Sequence, residues 1–199
     1  LNILNLISEL LRVFILTYSS RICMGTDKRS QINTYSPQGK DDSYQVRRCT
    51  IDDLEGVIEV NEQELPEDYP YFFYKSILEK YSDAFLVACP KDDLENIMGY
   101  VMWRVERAPS VSSLRLIKKG HLVSIAVLEK YRRQGIASSL LAKSMPAISK
   151  FNIKEFVLEV RISNYEAINL YEKFKYRTAK VKENYYRDGE DAYFMVRKV

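Results

Sequence analysis

Hydrophobic residues recur with two different periods along the chain, and these periods separate predicted helices from predicted strands. In the clearest helical segment, Ala167, Leu170, Tyr171 and Phe174 are three or four positions apart and share one face. The four predicted helices are Asp52–Glu64, Tyr71–Lys80, Gly135–Ser149 and the segment from Ser163 to near Phe174.

Seven further segments have the alternation, or the β-branched and aromatic composition, of strands. They are Tyr44–Arg48, Phe85–Cys89, Ile97–Arg107, His121–Val127, Glu155–Val160, Thr178–Val181 and Asp191–Arg197. The mixed segment Ala108–Gly120 is predicted to be a loop. The order of elements, β-α-α-β-β-β-α-β-α-β-β, predicts an α/β protein with helices packed on a central sheet.

Residues near the helix ends refine these boundaries. Thr50-x-x-Asp53 resembles a helix start in which Asp replaces the Glu or Gln of a capping box. Ser163-x-x-Glu166 fits a capping box, so Ser163 is predicted to cap the last helix. Pro146 lies inside the third predicted helix and should kink or shorten it.

Residues 1–43 are interpreted as an N-terminal extension of a domain formed by residues 44–199. Leu1–Tyr18 is apolar-rich, but polar residues interrupt it before the roughly 20 apolar positions of a spanning helix are reached. It could form an amphipathic helix, with membrane association as the less favoured interpretation. Gly25–Ser43 is polar and is predicted to be flexible. One expectation is that native translation starts at Met24, so that residues 1–23 would not belong to the native protein.

Composition narrows the function classes. The 30 basic and 27 acidic side chains give a net charge of +3, which does not argue for a nucleic-acid partner. The three cysteines, Cys23, Cys49 and Cys89, are isolated, which favours reduced thiols in a cytoplasmic protein over a disulfide framework. His121 is the only histidine, so a site with several histidine ligands in one chain is excluded and no metal is expected.

Charged and small residues lie between the fourth predicted strand and the third predicted helix. The first N–H groups of a helix lack partners within the helix, and the helix dipole adds partial positive charge there. Gly135 and Ala137 would let a ligand approach closely, and Arg132 and Arg133 add fixed charge. The segment therefore predicts an anion cradle suited to a pyrophosphate, with a solvated charged connection as the alternative. It matches neither G-x-x-x-x-G-K-[ST] nor G-x-G-x-x-G.

Motifs in a fixed order give the chain a family resemblance. Arg132-x-x-Gly135-x-Ala137 after a strand is similar to the acetyl-CoA signature of the GNAT superfamily. Five further motifs resemble those of protein N-terminal acetyltransferases, above all the archaeal NatA-type catalytic subunit. They are Leu65–Tyr69, His121–Val127 with Tyr131–Ala137, Leu158–Tyr165, Ala167–Tyr171 and Tyr185–Tyr193. The resemblance covers residues 44–199. It implies the GNAT fold: a mixed sheet of about seven strands, four helices, and a V-shaped opening between the fourth and fifth strands.

The resemblance implies that acetyl-CoA binds in this V as a co-substrate. Ile125, Ala126 and Val127 would offer backbone groups to its acetyl and pantetheine part. The residues implied for the pyrophosphate and for the far side of the site are Arg132, Arg133, Gln134, Gly135, Ile136, Ala137, Ser138, Asn164, Tyr171 and Lys173.

The resemblance also assigns residues to the reaction. Glu67, His121 and Glu159 are candidate bases, and Tyr171 is the candidate acid for the leaving thiolate. As the only imidazole, His121 is expected to titrate nearest neutral pH. The structural alternatives are a hydrogen bond between His121 and Glu159, a solvated carboxylate at Glu67, and core packing at Tyr171.

Two loops are implied to hold the substrate, with Glu67 and Tyr69 in the first and Tyr185 and Tyr186 in the last hairpin. The expected activity is direct, base-assisted transfer of an acetyl group to protein N-termini that begin with Ser, Ala or Thr, and to Met-initiated ends. The alternatives are a ribosomal-protein or small-amine acetyltransferase, an acetyl-CoA-binding module without turnover, and a subunit that depends on a scaffold. Ribosomes and nascent chains are further expected partners.

Overall fold

A computed structural model describes residues 43–113 and 115–199. The expectations for the N-terminal extension, including its amphipathic helix, its flexible segment up to residue 42 and Cys23, lie outside the described residues. The described part forms seven strands and four α-helices, which confirms the predicted α/β class.

The strands form one mixed sheet. Their bounds are β1 Tyr44–Arg48, β2 Leu86–Pro90, β3 Gly99–Pro109, β4 Leu116–Val127, β5 Glu155–Arg161, β6 Arg177–Lys182 and β7 Ala192–Lys198. Their order across the sheet is β1-β2-β3-β4-β5-β7-β6. Neighbouring strands are antiparallel except β4 and β5, which run parallel.

The helices are α1 Leu54–Glu64, α2 Tyr71–Tyr81, α3 Ile136–Ser149 and α4 Tyr165–Lys173. The inner stripe of α3, represented by Leu140, Leu141 and Ile148, is fully buried in the core. Burial of this stripe follows from the helical spacing of its apolar residues. The helix continues past Pro146 to Ser149, so the expected shortening at the proline does not occur.

β4 and β5 separate after a short parallel ladder. Their pairing joins residues 119–121 of β4 to residues 155–157 of β5. Beyond this ladder β4 continues to Val127 and β5 to Arg161, and the predicted V opens between them. At the closed end of the V, Lys119 Nζ lies 3.1 Å from Glu155 Oε2, and both side chains are buried.

A bulge in β4 changes which side chains face which layer. Met102 of β3 pairs with Ser124, whereas Trp103 pairs with Leu122, so Val123 is an extra residue on β4. An extra residue shifts the alternation of sides along the strand that carries it. Leu122 therefore packs in the main core cluster, while Ser124 lies on the opposite face of the sheet.

The prediction that Ala108–Gly120 is a loop is wrong for most of the segment. β3 extends to Pro109 and β4 begins at Leu116, so only the residues between them form the loop. The two strands form a long hairpin. The charged residues of this segment are not typical of a buried strand. Lys119 is nevertheless buried, because it pairs with the carboxylate of Glu155, which lies far away in the sequence.

The cap of α4 differs from the prediction. Asn164, and not Ser163, caps this helix: its Oδ1 accepts the N–H of Ala167 at 3.1 Å. Before α1, the carboxylate of Asp53 accepts the N–H of Thr50 at 2.7 Å, which is the bond that the predicted capping box requires of Asp53. The helix itself begins at Leu54.

Candidate active site

The turn from β4 into α3, residues 132–138, forms the anion cradle. Arg133 and Gly135 have positive φ values of 67° and 81°, which bend the backbone before α3 begins at Ile136. No side chain of the described residues caps α3, so its first N–H groups remain available to a ligand. The dipole of the helix favours an anion at this end.

The two arginines of the cradle are held differently. Arg132 donates from Nε to the carbonyl oxygen of Val127 at 3.2 Å, and its guanidinium pairs with Glu64 of α1. Arg133 lies 3.2 Å from Glu166 of α4, and both side chains are largely exposed. Arg132 therefore braces the turn, while Arg133 is held only by a weak surface pair and is available to a ligand. The other predicted members are exposed Gln134, half-buried Ala137 and Ser138, and buried Ile136.

One edge of β4 faces the open V. Ile125, Ala126 and Val127 pair with β3 on one side. On the other side, β5 has left the ladder after residue 121. Opposite Val127, a Cβ on Gly99 would lie 2.6 Å from the carbonyl oxygen of Ala126, so only glycine fits there without a shift. The peptide groups on the open edge are the ones that a ligand in the V can bind.

α4 carries the remaining predicted cofactor residues. Tyr171 is 6% exposed, and its ring centroid lies 5.9 Å from that of Tyr176. Burial raises the pKa of Tyr171, so its hydroxyl keeps its proton at neutral pH. Asn164 uses its side-chain oxygen as the helix cap, and Lys173 is exposed in the last turn. The role of Tyr171 in the reaction stays a prediction.

His121 lies between two carboxylates. Its Nε2 is 2.7 Å from Glu159 Oε2, and its Nδ1 is 3.1 Å from Glu106 Oε2. Arg104 lies 3.2 Å from Glu106, and Lys182 donates to the second oxygen of Glu159 at 2.6 Å. These five residues form a chain of alternating charges across the sheet, which we call the His121 cluster.

The cluster keeps His121 protonated. Burial alone would lower the pKa of His121, but the charge of Glu159 and the hydrogen bonds to both carboxylates raise it from 6.5 to about 9. His121 therefore titrates above the neutral range that the sequence predicts, because β3 brings Glu106 to its second nitrogen, which the sequence does not show. When both ring nitrogens carry protons, they donate to Glu159 and Glu106 and leave no lone pair for a base; Arg104 Nη2 also lies 3.3 Å from Nδ1.

Arg161 of β5 joins the two predicted substrate loops. Its Nη2 donates to Glu67 Oε1 at 2.6 Å, in the loop between α1 and α2. Its Nη1 donates to Asp188 at 2.7 Å and to Glu190 at 2.8 Å, in the loop between β6 and β7. The ring of Tyr186 stacks on the guanidinium, with its centroid 3.9 Å from Cζ. One arginine therefore holds both loops at the open end of β5.

The predicted substrate tyrosines lie next to both members of the Glu67–Arg161 pair. Tyr69, two residues after Glu67, stacks on Phe73 with ring centroids 4.8 Å apart. Tyr185 meets Tyr186 edge-on, with centroids 5.0 Å apart, and is 45% exposed. The two loops thus present aromatic rings beside an ion pair.

Six residues that organise this site are not among the predicted site residues: Arg161, Asp188, Glu190, Glu106, Arg104 and Lys182. Arg161 stands two positions after Glu159 and therefore on the same face of β5. That alternation is the signal by which it can be found. The partners of His121 on β3 give no such signal, because their position depends on the register of the hairpin.

Residues 49–176 match the acetyltransferase (GNAT) family. The chain is similar to an N-alpha-acetyltransferase of Sulfolobus acidocaldarius, with 46% identity over 77% of this chain and 91% of the relative. It is similar to that of Saccharolobus solfataricus, with 46% identity over 80% of this chain and 95% of the relative. It also resembles the crystal structure of Ard1 from Thermoplasma volcanium, with a TM-score of 0.66 and 25% identity, over 79% of this chain and 98% of that one.

The chain therefore belongs to the GNAT acetyltransferase family. Its identity with the curated relatives is far above what a shared fold alone gives, and places it among the N-terminal acetyltransferases of that family. The predicted family and enzyme class are confirmed, and the small-amine and non-catalytic alternatives are not favoured. Within the described ranges, no group of three or more His, Cys, Asp and Glu side chains could hold a metal ion, and no helix is long and apolar enough to cross a membrane.

Proposed function

We propose that this chain acetylates the α-amino group of protein N-termini that begin with Ser, Ala or Thr, and of Met-initiated ends. The observation that carries the proposal is the Glu67–Arg161 ion pair, because it joins two tyrosine-bearing loops at the open V. A flexible chain end can enter between joined loops. An internal lysine on a folded surface enters less easily, because the protein surface around it would clash with the two loops.

Acetyl-CoA fits the V as the acetyl donor, and when bound it supplies an activated thioester. The anion cradle and Arg133 suit its pyrophosphate. The open edge at Ile125–Val127 suits the amide groups of its pantetheine arm, since β5 does not pair with this edge. Tyr171 and Asn164 line the side that α4 provides.

Glu67 is the base that the geometry favours. Its side chain is 34% exposed, against 12% for His121 and 7% for Glu159. Glu67 uses Oε1 for Arg161, which leaves Oε2 to accept the proton of the amine directly or through a water. The α-amino group has a pKa of about 8, so the base needs to give only modest help.

His121 and Glu159 have a supporting role in this proposal. His121 is the last residue of β4 that pairs with β5, and Glu159 lies two residues beyond the ladder on β5. Their hydrogen bond therefore bridges the two strands where they part. Tyr171 holds a proton at its hydroxyl and is the proposed donor to the leaving thiolate.

We further propose a cytoplasmic location and action on nascent chains at the ribosome, with residues 44–199 as the catalytic domain and residues 1–43 as its extension. Cys49 and Cys89 are buried free thiols, which supports a reducing compartment. Action on nascent chains is supported by the substrate itself, since an N-terminus emerges first during synthesis.

The test is acetyl transfer from acetyl-CoA to peptides that begin Ser, Ala, Thr, Met-Glu and Met-Leu, beside an α-blocked peptide with a free lysine. We expect transfer to the free N-termini, fastest for the small first residues, and none to the blocked peptide. Transfer to the lysine alone, or to no peptide despite tight binding of acetyl-CoA, would overturn the proposal.

A further inference from the structure

Asn61, Tyr100 and Ser124 form a buried chain of hydrogen bonds, which we call the polar strut. Asn61 Nδ2 donates to the carbonyl oxygen of Glu67 at 2.7 Å, and its Oδ1 accepts the hydroxyl of Tyr100 at 2.5 Å. The Tyr100 hydroxyl lies 2.7 Å from Ser124 Oγ. Asn61 and Tyr100 are fully buried, and Ser124 is 7% exposed. The strut therefore connects α1, β3 and β4 through the protein interior.

The donors and acceptors of the strut have a fixed direction. The amide oxygen of Asn61 can only accept, so the single proton of Tyr100 goes to it. The oxygen of Tyr100 then accepts from Ser124 Oγ. Each of these groups has a partner, and a satisfied buried network of this kind is rigid.

The strut holds one end of Glu67. Through Asn61, the backbone of Glu67 is fixed to β3 and β4, which form the first arm of the V. The carboxylate of the same residue is fixed by Arg161 to β5, the second arm. Glu67 is thus held on both arms beyond the point where their ladder ends.

We propose that Asn61, Tyr100 and Ser124 are positioning residues that set the distance between Glu67 and the open edge of β4. The inference rests on the proposed function, because that function makes Glu67 the base and the β4 edge the place of acetyl-CoA. Ser124 directly precedes Ile125, the first residue of that edge. The three residues act through Glu67 and are not themselves catalytic.

Tyr100→Phe tests the strut, because it removes one hydroxyl and keeps the ring. The matched control is Ser144→Ala in α3, which removes the acceptor of a buried hydrogen bond from Trp103 Nε1 at 2.9 Å, away from the substrate loops. Both variants and the wild type are compared for kcat on a Ser-initiated peptide, for the KM of acetyl-CoA, for Tm, and for amide hydrogen exchange in residues 65–69. Ser124→Ala is a milder second variant in case Tyr100→Phe does not fold.

We expect Tyr100→Phe to lower kcat about tenfold or more, because displacement of a base by a fraction of an ångström is costly to rate. The KM of acetyl-CoA stays within twofold of the wild type, and exchange in residues 65–69 becomes faster. Ser144→Ala lowers Tm but keeps kcat and the exchange of that loop. Ser124→Ala changes the same quantities as Tyr100→Phe, by less.

If Tyr100→Phe and Ser144→Ala have the same kcat and the same amide exchange in residues 65–69, the positioning role of the polar strut is overturned. A wild type that acetylates no peptide α-amine overturns the proposed function instead. The exchange measurement still decides the inference in that case, since it reports the position of the Glu67 loop without any turnover.

Discussion

The carboxylate of Glu67 accepts a 2.6 Å hydrogen bond from Arg161 Nη2. This ion pair joins the loop after α1 to the end of β5, and the same guanidinium also binds Asp188 and Glu190 of the last hairpin. Its planar fork has enough donors to serve all three carboxylates at once, which an ammonium group cannot do with the same geometry. The arrangement of the substrate loops therefore depends on one side chain.

Replacement of Arg161 by Lys should separate the loops while keeping the charge. We expect the KM of the peptide to rise about tenfold or more, since a bidentate arginine site does not tolerate lysine. The KM of acetyl-CoA should change little, because the ion pairs of Arg161 go to the two substrate loops and not to the anion cradle. Steady-state kinetics with each substrate varied measures both. Arg187→Lys on the same loop is the control, and an equal effect of the two variants would argue against a special role of Arg161.

Glu67→Gln keeps an acceptor for Arg161 but cannot take a proton. If Glu67 is the base, kcat should fall about 100-fold or more, with little change in the KM of acetyl-CoA. Asp68→Asn, at the neighbouring exposed carboxylate, should stay near the wild type. Activity of Glu67→Gln within threefold of the wild type would remove Glu67 from the chemistry.

The His121 cluster makes stability depend on pH. The unfolded chain releases the proton of His121 near pH 6.5, whereas the folded protein keeps it until about pH 9. The stabilisation is therefore complete below pH 6.5 and is lost as the pH rises through 9, with a total of about 3 kcal/mol. Urea unfolding at a series of pH values between these limits measures it.

Glu106→Gln is the matched variant for that experiment, because it removes one of the two carboxylates beside His121. Its free energy of unfolding should decline less, and at lower pH, than that of the wild type. Equal slopes for the two proteins would show that Glu106 does not hold the proton on His121.

Two glycines with left-handed backbones allow the two halves of the site to be tested separately. Gly135 has φ 81° in the anion cradle, and Gly189 has φ 87° in the last hairpin. Alanine at either position carries a similar backbone strain of about 1 kcal/mol. We expect Gly135→Ala to raise the KM of acetyl-CoA and Gly189→Ala to raise that of the peptide. The opposite assignment would contradict the placement of the two substrates.

The sequence predicts those parts of the site that are local in the chain. The cradle is one turn between a strand and a helix, so the sequence predicts Arg132, Arg133 and Gly135 as neighbours in it. The partners of Arg161 are 94, 27 and 29 residues away from it, and no local pattern brings them together. The high pKa of His121 likewise depends on the register that places Glu106 on the neighbouring strand.

Charged residues also limited the prediction of the fold. Lys119 makes the segment Ala108–Gly120 polar, yet this side chain is buried because it pairs with the carboxylate of Glu155. Pro146 does not shorten α3, since Leu140 and Ile148, buried on either side of it, pack in the core. Tertiary contacts outweighed local preference at both places.

The sheet is weakly connected between β4 and β5, because the ladder that joins these two strands is short. Within the described residues, the ladder across it pairs residues 119–121 with residues 155–157, one backbone bond from Lys154 N–H to the carbonyl oxygen of Lys118 adjoins it, and the His121–Glu159 bond lies just beyond it. Each side is a paired sheet of its own, β1–β4 on one side and β5–β7–β6 on the other. Local opening costs less at a boundary with few backbone hydrogen bonds than within a fully paired sheet. Amide exchange at Gly120 and Phe156, in the middle of the ladder, should therefore be faster than in the centres of the two sides. A ligand that touches both sides of the V should slow this exchange.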